Sequence, residues 1–420
     1  SAPFVIYSPQ AISDPGAIDQ EMQAIQKTLP KPEFPGLSGT DCLTLNISIP
    51  ETADHKAALP VLVYIHGGGF AVGSNWWPQY DMKRIVQLST ELGQPIIGIN
   101  INYRLGAAGF MASEELRQAG YDANRGLHDQ RVALQWISKY ISGFGGDPAK
   151  VTVSGESVGG LSTTRLLYQE EAPVSRIVVM GGAPPSMSPI SKEVAEISYS
   201  ALIETLGYQD LSPMDRIEAL QHTLIADLQK NLNHRPPFIP VLDGLSVPYN
   251  ETFSLIESTD YVFKAKRCEA AMIVYSPLDI SAQRLLQCYG IKPDLDDQDA
   301  LLRILQFGSD IGNQAAARAL AASFPGDAFV MEFAEPNPLD DTQRAGAEQF
   351  AKDVIGFVHG QKPWKPFLES RGVSRLKGGR QHYLDGTEAV TGRFKELLDI
   401  GKVVELDTLL GLWLGFLFSP

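Results

Sequence analysis

The chain has 420 residues, 44% of them hydrophobic and 20% charged, with a formal net charge of −14. That length and composition suit a globular protein of two or three average domains, or one large α/β sheet enzyme. The acidic balance argues against nucleic acid as a partner, since phosphates call for a basic surface, and otherwise serves solubility. Three cysteines, Cys42, Cys268 and Cys288, are too few and too scattered for a disulfide framework or a zinc-ligand spacing. No cofactor is called for, and a cytoplasmic location fits slightly better than a secreted one.

In chain order, residues 1–40 are rich in Pro, Ser and Gly and predict loop with at most a short helix. Residues 1–30 lack a basic segment followed by an apolar run, so no signal peptide is visible in the chain as given. Pro60-Val61-Leu62-Val63-Tyr64-Ile65 is a continuous apolar run, as a strand buried on both faces requires, and residues 96–101 and 151–153 repeat the pattern. Further strands are predicted over 176–180, 270–275 and 328–333, and a helix over 129–140 with Leu134 and Ile137 on one face. The alternation predicts an α/β fold, a mostly parallel central sheet covered by helices, in a single domain spanning 1–420. Residues 186–262 break the rhythm with helical stretches over 191–206 and 213–232. They predict a helical, cap-like insertion over the sheet's functional end. The longest apolar run, Leu409 to Phe418, is too short to span a bilayer and predicts a terminal core helix.

Two segments carry chemistry. Val151-Thr152-Val153-Ser154 leads into Gly155-Glu156-Ser157-Val158-Gly159-Gly160, a G-x-S-x-G turn between an apolar strand and a helix-compatible stretch. A serine on such a sharp turn needs small residues two positions before and after it. The turn lifts its hydroxyl clear of the sheet, where the following helix N-terminus favours developing negative charge. The second segment, His66-Gly67-Gly68-Gly69-Phe70, follows the first strand. Three successive glycines leave backbone N–H groups unshielded, the donors that an acyl-transfer oxyanion hole requires. Gly68, Gly69 and Val158 are the candidate donors and Ser157 the candidate nucleophile, while His66 is read as a residue that orients the loop. Glu156 is expected to be buried beside the nucleophile. Phe70, Trp76 and Trp77 are expected near the pocket mouth, suited to a hydrophobic ligand.

These segments resemble the type-B carboxylesterase (cholinesterase-like) family, in particular its compact fungal members. Phe144-Gly145-Gly146-Asp147-Pro148 through Gly155-Glu156-Ser157-Val158-Gly159-Gly160 is similar to that family's serine signature. Asp41-Cys42-Leu43-Thr44-Leu45-Asn46 is similar to its second signature, and Asn102-Tyr103-Arg104 and Asn124-Arg125-Gly126-Leu127-His128-Asp129-Gln130 to two further blocks. The resemblance implies an α/β-hydrolase fold, with an N-terminal β region preceding Ser1 in relatives, and a triad in the order serine, acid, histidine. It places the acid at Asp279, after Ala271-Met272-Ile273-Val274-Tyr275-Ser276-Pro277-Leu278, although Val274 and Ile280 stand where glycines are usual.

The histidine has no evident counterpart. Glu335-Pro336-Asn337-Pro338-Leu339 resembles the stretch that precedes it in relatives, yet no histidine occurs between Leu339 and Val358. Three readings stand: a segment of roughly 20–40 residues is absent near Leu339-Asp340, another histidine serves, with His359 best placed in sequence, or the chain has no base. His55, His128, His222, His234 and His382 read as solvated or structural. The implied function is a serine hydrolase that cleaves carboxylic esters through an acyl-enzyme on Ser157. The alternatives are a biosynthetic enzyme of this fold, catalysing cyclisation or acyl transfer, and a pseudoenzyme or scaffold. The expected partner is a small-molecule ester or hydrophobic natural product, with no metal, no nucleic acid and no membrane span.

Overall fold

The computed structural model describes residues 7–24, 28–51, 54, 56–229, 238–276, 305–335, 341–390, 392–401, 405–407 and 409–410. The chain divides into two compact units, residues 1–151 with 189–250, and residues 152–188 with 251–420.

In the first unit, β1 (Gln10–Ala11) and β2 (Leu37–Ser38) form a small parallel pair. The main sheet holds β3 (Leu45–Ser48), β4 (Leu59–Ile65) and β5 (Ile97–Ile101) in the order β3-β5-β4, and the leading part of β6 (Gly146–Glu156) follows β4. β4 runs parallel to β5 in the register Val61↔Ile97 to Ile65↔Ile101, and β3 closes the edge antiparallel. Val61, Val63, Ile65, Ile97 and Ile99 are fully buried, which explains why these strands read as unbroken apolar runs.

The first helix of the segment expected to be an insertion is Lys192–Leu206. The Ser191 hydroxyl accepts from Val194 N–H at 3.3 Å at its start, and Gly207 ends it at φ 75°. The single helix expected over 213–232 is two, Pro213–Gln221 and Ile225–Gln229. The break falls where the Thr223 hydroxyl donates back to the Ala219 carbonyl at 2.9 Å, a local bond that competes with helix propagation. Asn124, left-handed at φ 58° just before the helix Arg125–Tyr140, tethers the segment. Its Nδ2 donates to the Val241 carbonyl and its Oδ1 accepts from Val241 N–H, both at 2.8 Å.

The second unit carries the rest of β6 and then β7 (Arg176–Met180), β8 (Ala270–Tyr275), β9 (Asp327–Phe333), β10 (Val373–Lys377) and β11 (Arg380–Leu384), in that order. Pairing is parallel from β6 to β10, and β11 returns antiparallel as a hairpin. The mixed, mostly parallel sheet agrees with the sequence expectation, and β6 is longer than the three residues expected. Six residues from Asp310 to Ala315 form a π-helical turn that leads into the helix Ala316–Ser323. Leu409 and Leu410 join a core cluster with Phe253, Phe307, Ile311, Phe394 and Leu397; the rest of the terminal apolar run lies outside the described residues. No helix among the described residues is long and apolar enough to cross a membrane.

Candidate active site

Ser157 follows the last residue of β6 and immediately precedes the helix Val158–Arg165, at φ 53° and ψ −125°. Holding a non-glycine residue there costs on the order of 1–3 kcal/mol, so its surroundings must enforce it. Three contacts do so. The Ser157 N–H donates to the Met180 carbonyl at 2.8 Å. A Cβ added at Gly155 would lie 2.2 Å from the Gly159 carbonyl oxygen, so the strand and helix approach as closely as the small-residue rule requires. A Cβ at Gly182 would lie 1.7 Å from the Ser157 carbonyl oxygen, so the chain after β7 forms the floor of the turn.

The Ser157 hydroxyl has no hydrogen-bond partner among the described residues and opens into a cavity of about 380 Å³. Its walls include Leu161 of the helix, Ser186 and Met187 after β7, Ser276 after β8, and Ser309 and Asn313 beside and on the π-helical turn. No ionisable side chain is among the described lining residues. The Val158 N–H, at the first turn of the helix, has no acceptor among the described residues.

The helix behind Ser157 is anchored by a buried charge pair. Arg165 Nη2 lies 2.8 Å from Glu251 Oε2, with the two side chains 2% and 0% exposed. The same Nη2 donates to the Met187 carbonyl at 3.3 Å, linking the pair to the cavity wall. Tyr168 donates to Glu251 Oε1 and is 2.9 Å from the Tyr261 hydroxyl. Burial, reinforced by the Glu251 charge, pushes the Tyr168 phenol well above its ordinary pKa, so it stays a proton donor to the carboxylate.

In the first unit, the loop after β4 holds Gly68 at φ 93° and Gly69 at φ 64°. A Cβ at Gly68 would lie 2.2 Å from the Val72 carbonyl oxygen, so only glycine fits. The N–H groups of Gly68 and Gly69 make no hydrogen bond among the described residues, while the Gly68 carbonyl accepts from Ala71 and Val72, each at 3.0 Å. His66 is buried, stacks on Tyr103 at 4.5 Å between ring centroids, and has its Nδ1 3.0 Å from the Gly67 carbonyl. Burial lowers its pKa to about 4, leaving a neutral ring at pH 7 that braces the loop. Asn102 Oδ1 accepts from Asn75 N–H at 2.7 Å, and Asn46 donates to the Asn75 carbonyl at 2.9 Å. Arg104 pairs with Asp129 through two guanidinium contacts of 2.6 and 2.8 Å. The asparagine, arginine and aspartate of the signature blocks thus hold backbone and loops in place.

Several expectations change. Glu156 is exposed rather than buried: it ends β6, and strand alternation turns its side chain away from the face where Gly155 meets the helix. Phe70, Trp76 and Trp77, expected at the pocket mouth, are core residues 0–4% exposed. Phe70 packs on Phe110 at 4.9 Å, and Trp76 and Trp77 pack with Ala17, Ile18 and Met22. Large rings just after a central strand fill the nearest apolar space. Asp279 lies outside the described residues, as does the Leu339-Asp340 junction, where a segment carrying the triad histidine was expected to be absent.

His359 falls at the wrong edge of the sheet. A Cβ at the next residue, Gly360, would lie 2.8 Å from Arg176 Nη2, and Lys362 pairs with Asp327 at 2.7 Å. Arg176 and Asp327 begin β7 and β9, whereas Ser157 follows the end of β6, about 13 Å away along the strands. His382, exposed on β11, is five strands from β6, about 24 Å across the sheet. Within the second unit no described histidine reaches Ser157. Sequence reasoning also passed over Gly182, though a Gly181-Gly182 pair at the end of an apolar strand is a readable sign of close approach. It passed over Arg165 and Glu251, 86 residues apart, for which no local signal exists.

A strained serine turn at the carboxyl end of a parallel strand, opening into a cavity, defines an α/β-hydrolase. The chain belongs to the carboxylesterase family, whose profile matches residues 7–274. Among curated proteins, Lipase 4 of Diutina rugosa is 38% identical over 179 residues, covering 40% of this chain and 32% of that protein. The para-nitrobenzyl esterase of Bacillus subtilis is 35% identical over 218 residues, covering 50% and 42%. A Byssochlamys spectabilis protein described as an inactive carboxylesterase-like protein is 29% identical over 224 residues, covering 50% and 38%. The chain spans less than half the length of these curated relatives. Among solved structures, EstA of Aspergillus niger superimposes with a TM-score of 0.69 at 21% identity, covering 96% of this chain and 88% of that one. A Geobacillus stearothermophilus carboxylesterase gives a TM-score of 0.67 at 21% identity, covering 85% and 86%. These two likenesses establish the fold.

Proposed function

We propose that this protein is a serine hydrolase of carboxylic esters that works through an acyl-enzyme on Ser157. The observation that carries the reading is Ser157 itself, held on a strained turn with an unpartnered hydroxyl facing a cavity. Ser157 Oγ attacks the ester carbonyl carbon, its proton passes to the general base of the triad, and the carbonyl oxygen becomes an oxyanion. The C–O bond to the alcohol then breaks and the base returns that proton to the leaving oxygen. Water attacks the acyl-enzyme, releasing the acid and restoring the serine. Gly68, Gly69 and Val158 are assigned as oxyanion donors, on the motif and on N–H groups that lack acceptors among the described residues. Asp279 is assigned as the triad acid on the family resemblance alone.

The test is turnover of p-nitrophenyl acetate. The wild-type protein releases p-nitrophenol, and Ser157→Ala lowers kcat on the order of 10⁴-fold or more. An equal rate in Ser157→Ala overturns the assignment. One observation favours a second reading, an esterase fold without hydrolysis: the described histidines of the second unit lie far from Ser157, and one relative is described as inactive. A folded protein that turns over no ester but converts a cyclisation or acyl-transfer precursor would select that reading.

A further inference from the structure

We infer that the cavity beside Ser157 recognises a neutral acyl group bearing a hydrogen-bonding substituent, with Asn313 as the residue that selects it. This rests on the reading of Ser157 as an ester-attacking serine. Three polar side chains on the cavity wall, the Asn313 amide and the Ser186 and Ser276 hydroxyls, join Ser157 in lacking any hydrogen-bond partner among the described residues. The fourth candidate, Ser309, is already spent, since its hydroxyl donates to the Ser276 carbonyl at 3.1 Å.

Asn313 owes its place to the π-helical turn Asp310–Ala315, whose wider coil puts Gly312 and Asn313 on the wall together. The turn is fixed from within: Gln306 donates to Asp310 Oδ1 at 3.1 Å, and Ile311 is fully buried in the unit's core. The amide is therefore presented from rigid backbone, not from a mobile loop.

The chemistry follows from what fills the space. While water occupies the cavity, Asn313 and Ser186 bond to it. A purely aliphatic acyl chain expels that water and leaves an amide and a hydroxyl dry and unpaired, which a site built to hydrogen-bond penalises strongly. An acyl chain with a hydroxyl or keto oxygen replaces the water bonds and also satisfies the apolar walls, Leu161 and Met187. A carboxylate or ammonium on the acyl group gains no opposite charge from the described lining residues, whereas a neutral hydroxyl or keto oxygen is matched by the Asn313 amide.

The experiment separates recognition from turnover by measuring binding to the Ser157→Ala protein. Isothermal titration compares ethyl 3-hydroxybutyrate with its isostere ethyl 3-methylbutyrate, which exchanges the hydroxyl for a methyl. The expected result is tighter binding of the hydroxy ester, on the order of tenfold. Adding Asn313→Leu erases or reverses the preference, and adding Ser186→Ala, a change too small to threaten folding, reduces it. Equal affinity for the two esters, or a preference unchanged by Asn313→Leu, overturns the inference. If the wild-type protein hydrolyses neither ester while the binding preference holds, the hydrolase reading fails and the recognition site stands.

Discussion

Replacing Gly182 with alanine is expected to cost about 1–3 kcal/mol of stability and to slow any reaction at Ser157 about 100-fold. The new Cβ would be 1.7 Å from the Ser157 carbonyl oxygen and 2.5 Å from its carbonyl carbon, both backbone atoms of a residue already strained at φ 53°. Neither atom can turn aside as a side chain would, so the turn itself must move. A displacement near 1 Å is enough to take Ser157 out of line with a bound ester. Gly181→Ala is the control. Gly181 is at φ 59° with nothing within 4 Å of its Cβ position, so alanine there meets only the left-handed penalty of about 1 kcal/mol. Thermal unfolding and p-nitrophenyl acetate kinetics on both variants check the pair. Wild-type kinetics in Gly182→Ala would show that the close approach does not govern the nucleophile.

The larger loss of stability is expected from Glu251→Gln, about 3–5 kcal/mol. The substitution keeps the shape of the side chain but leaves the Arg165 guanidinium buried without its counter-charge. The structure leaves little to take over, because Arg165 Nε and Nη1 already lack partners. The effect also reaches the site, since Arg165 ends the helix that Ser157 begins and holds the Met187 carbonyl at the cavity wall. Replacing both members, as in Arg165→Met with Glu251→Leu, is expected to cost less than Glu251→Gln alone, because no charge is left stranded. Urea denaturation of the three proteins tests this. A loss under about 1 kcal/mol for Glu251→Gln would mean that water reaches the pair.

The parallel strands were legible because they are buried on both faces: β7 and β8 have the bounds that their apolar runs predict. The β10–β11 hairpin was not, since β11 lies at the sheet edge, largely exposed, and its sequence Arg380-Gln381-His382-Tyr383-Leu384 has no apolar face to read. The serine turn was legible because its sharpness needs small residues two positions before and after the serine, and a Cβ at Gly155 would lie 2.2 Å from the Gly159 carbonyl oxygen. The large rings misled for a related reason. Phe70 and Trp77 follow the Gly67-Gly68-Gly69 loop in sequence, but sequence does not say which side of the loop a ring occupies, and both turn inward. Asn313 escaped because a π-helical turn leaves no local mark, and it comes to share a cavity wall with Ser186, 127 positions away by numbering, only through the fold.

The histidine question narrows as well. His359 precedes a glycine, as the sought histidine would, but it follows a helix instead of a strand, and the segment it opens runs along the edge where β7 and β9 begin. Chemistry in this fold gathers at the other edge, where the strands end and where Ser157 stands. No described histidine of the second unit reaches Ser157, and residues 336–340, outside the described residues, contain none, so the base is left unassigned.

The most direct measurement is covalent labelling of Ser157 by a fluorophosphonate, read by intact mass and peptide mapping on folded wild-type protein and on Ser157→Ala. A serine activated as proposed gains one phosphonyl group, displacing fluoride, and the adduct maps to the peptide containing Gly155-Glu156-Ser157; Ser157→Ala stays unmodified. A folded wild-type protein that remains unlabelled, or a label that maps elsewhere and persists in Ser157→Ala, would contradict the assignment of Ser157 as the nucleophile.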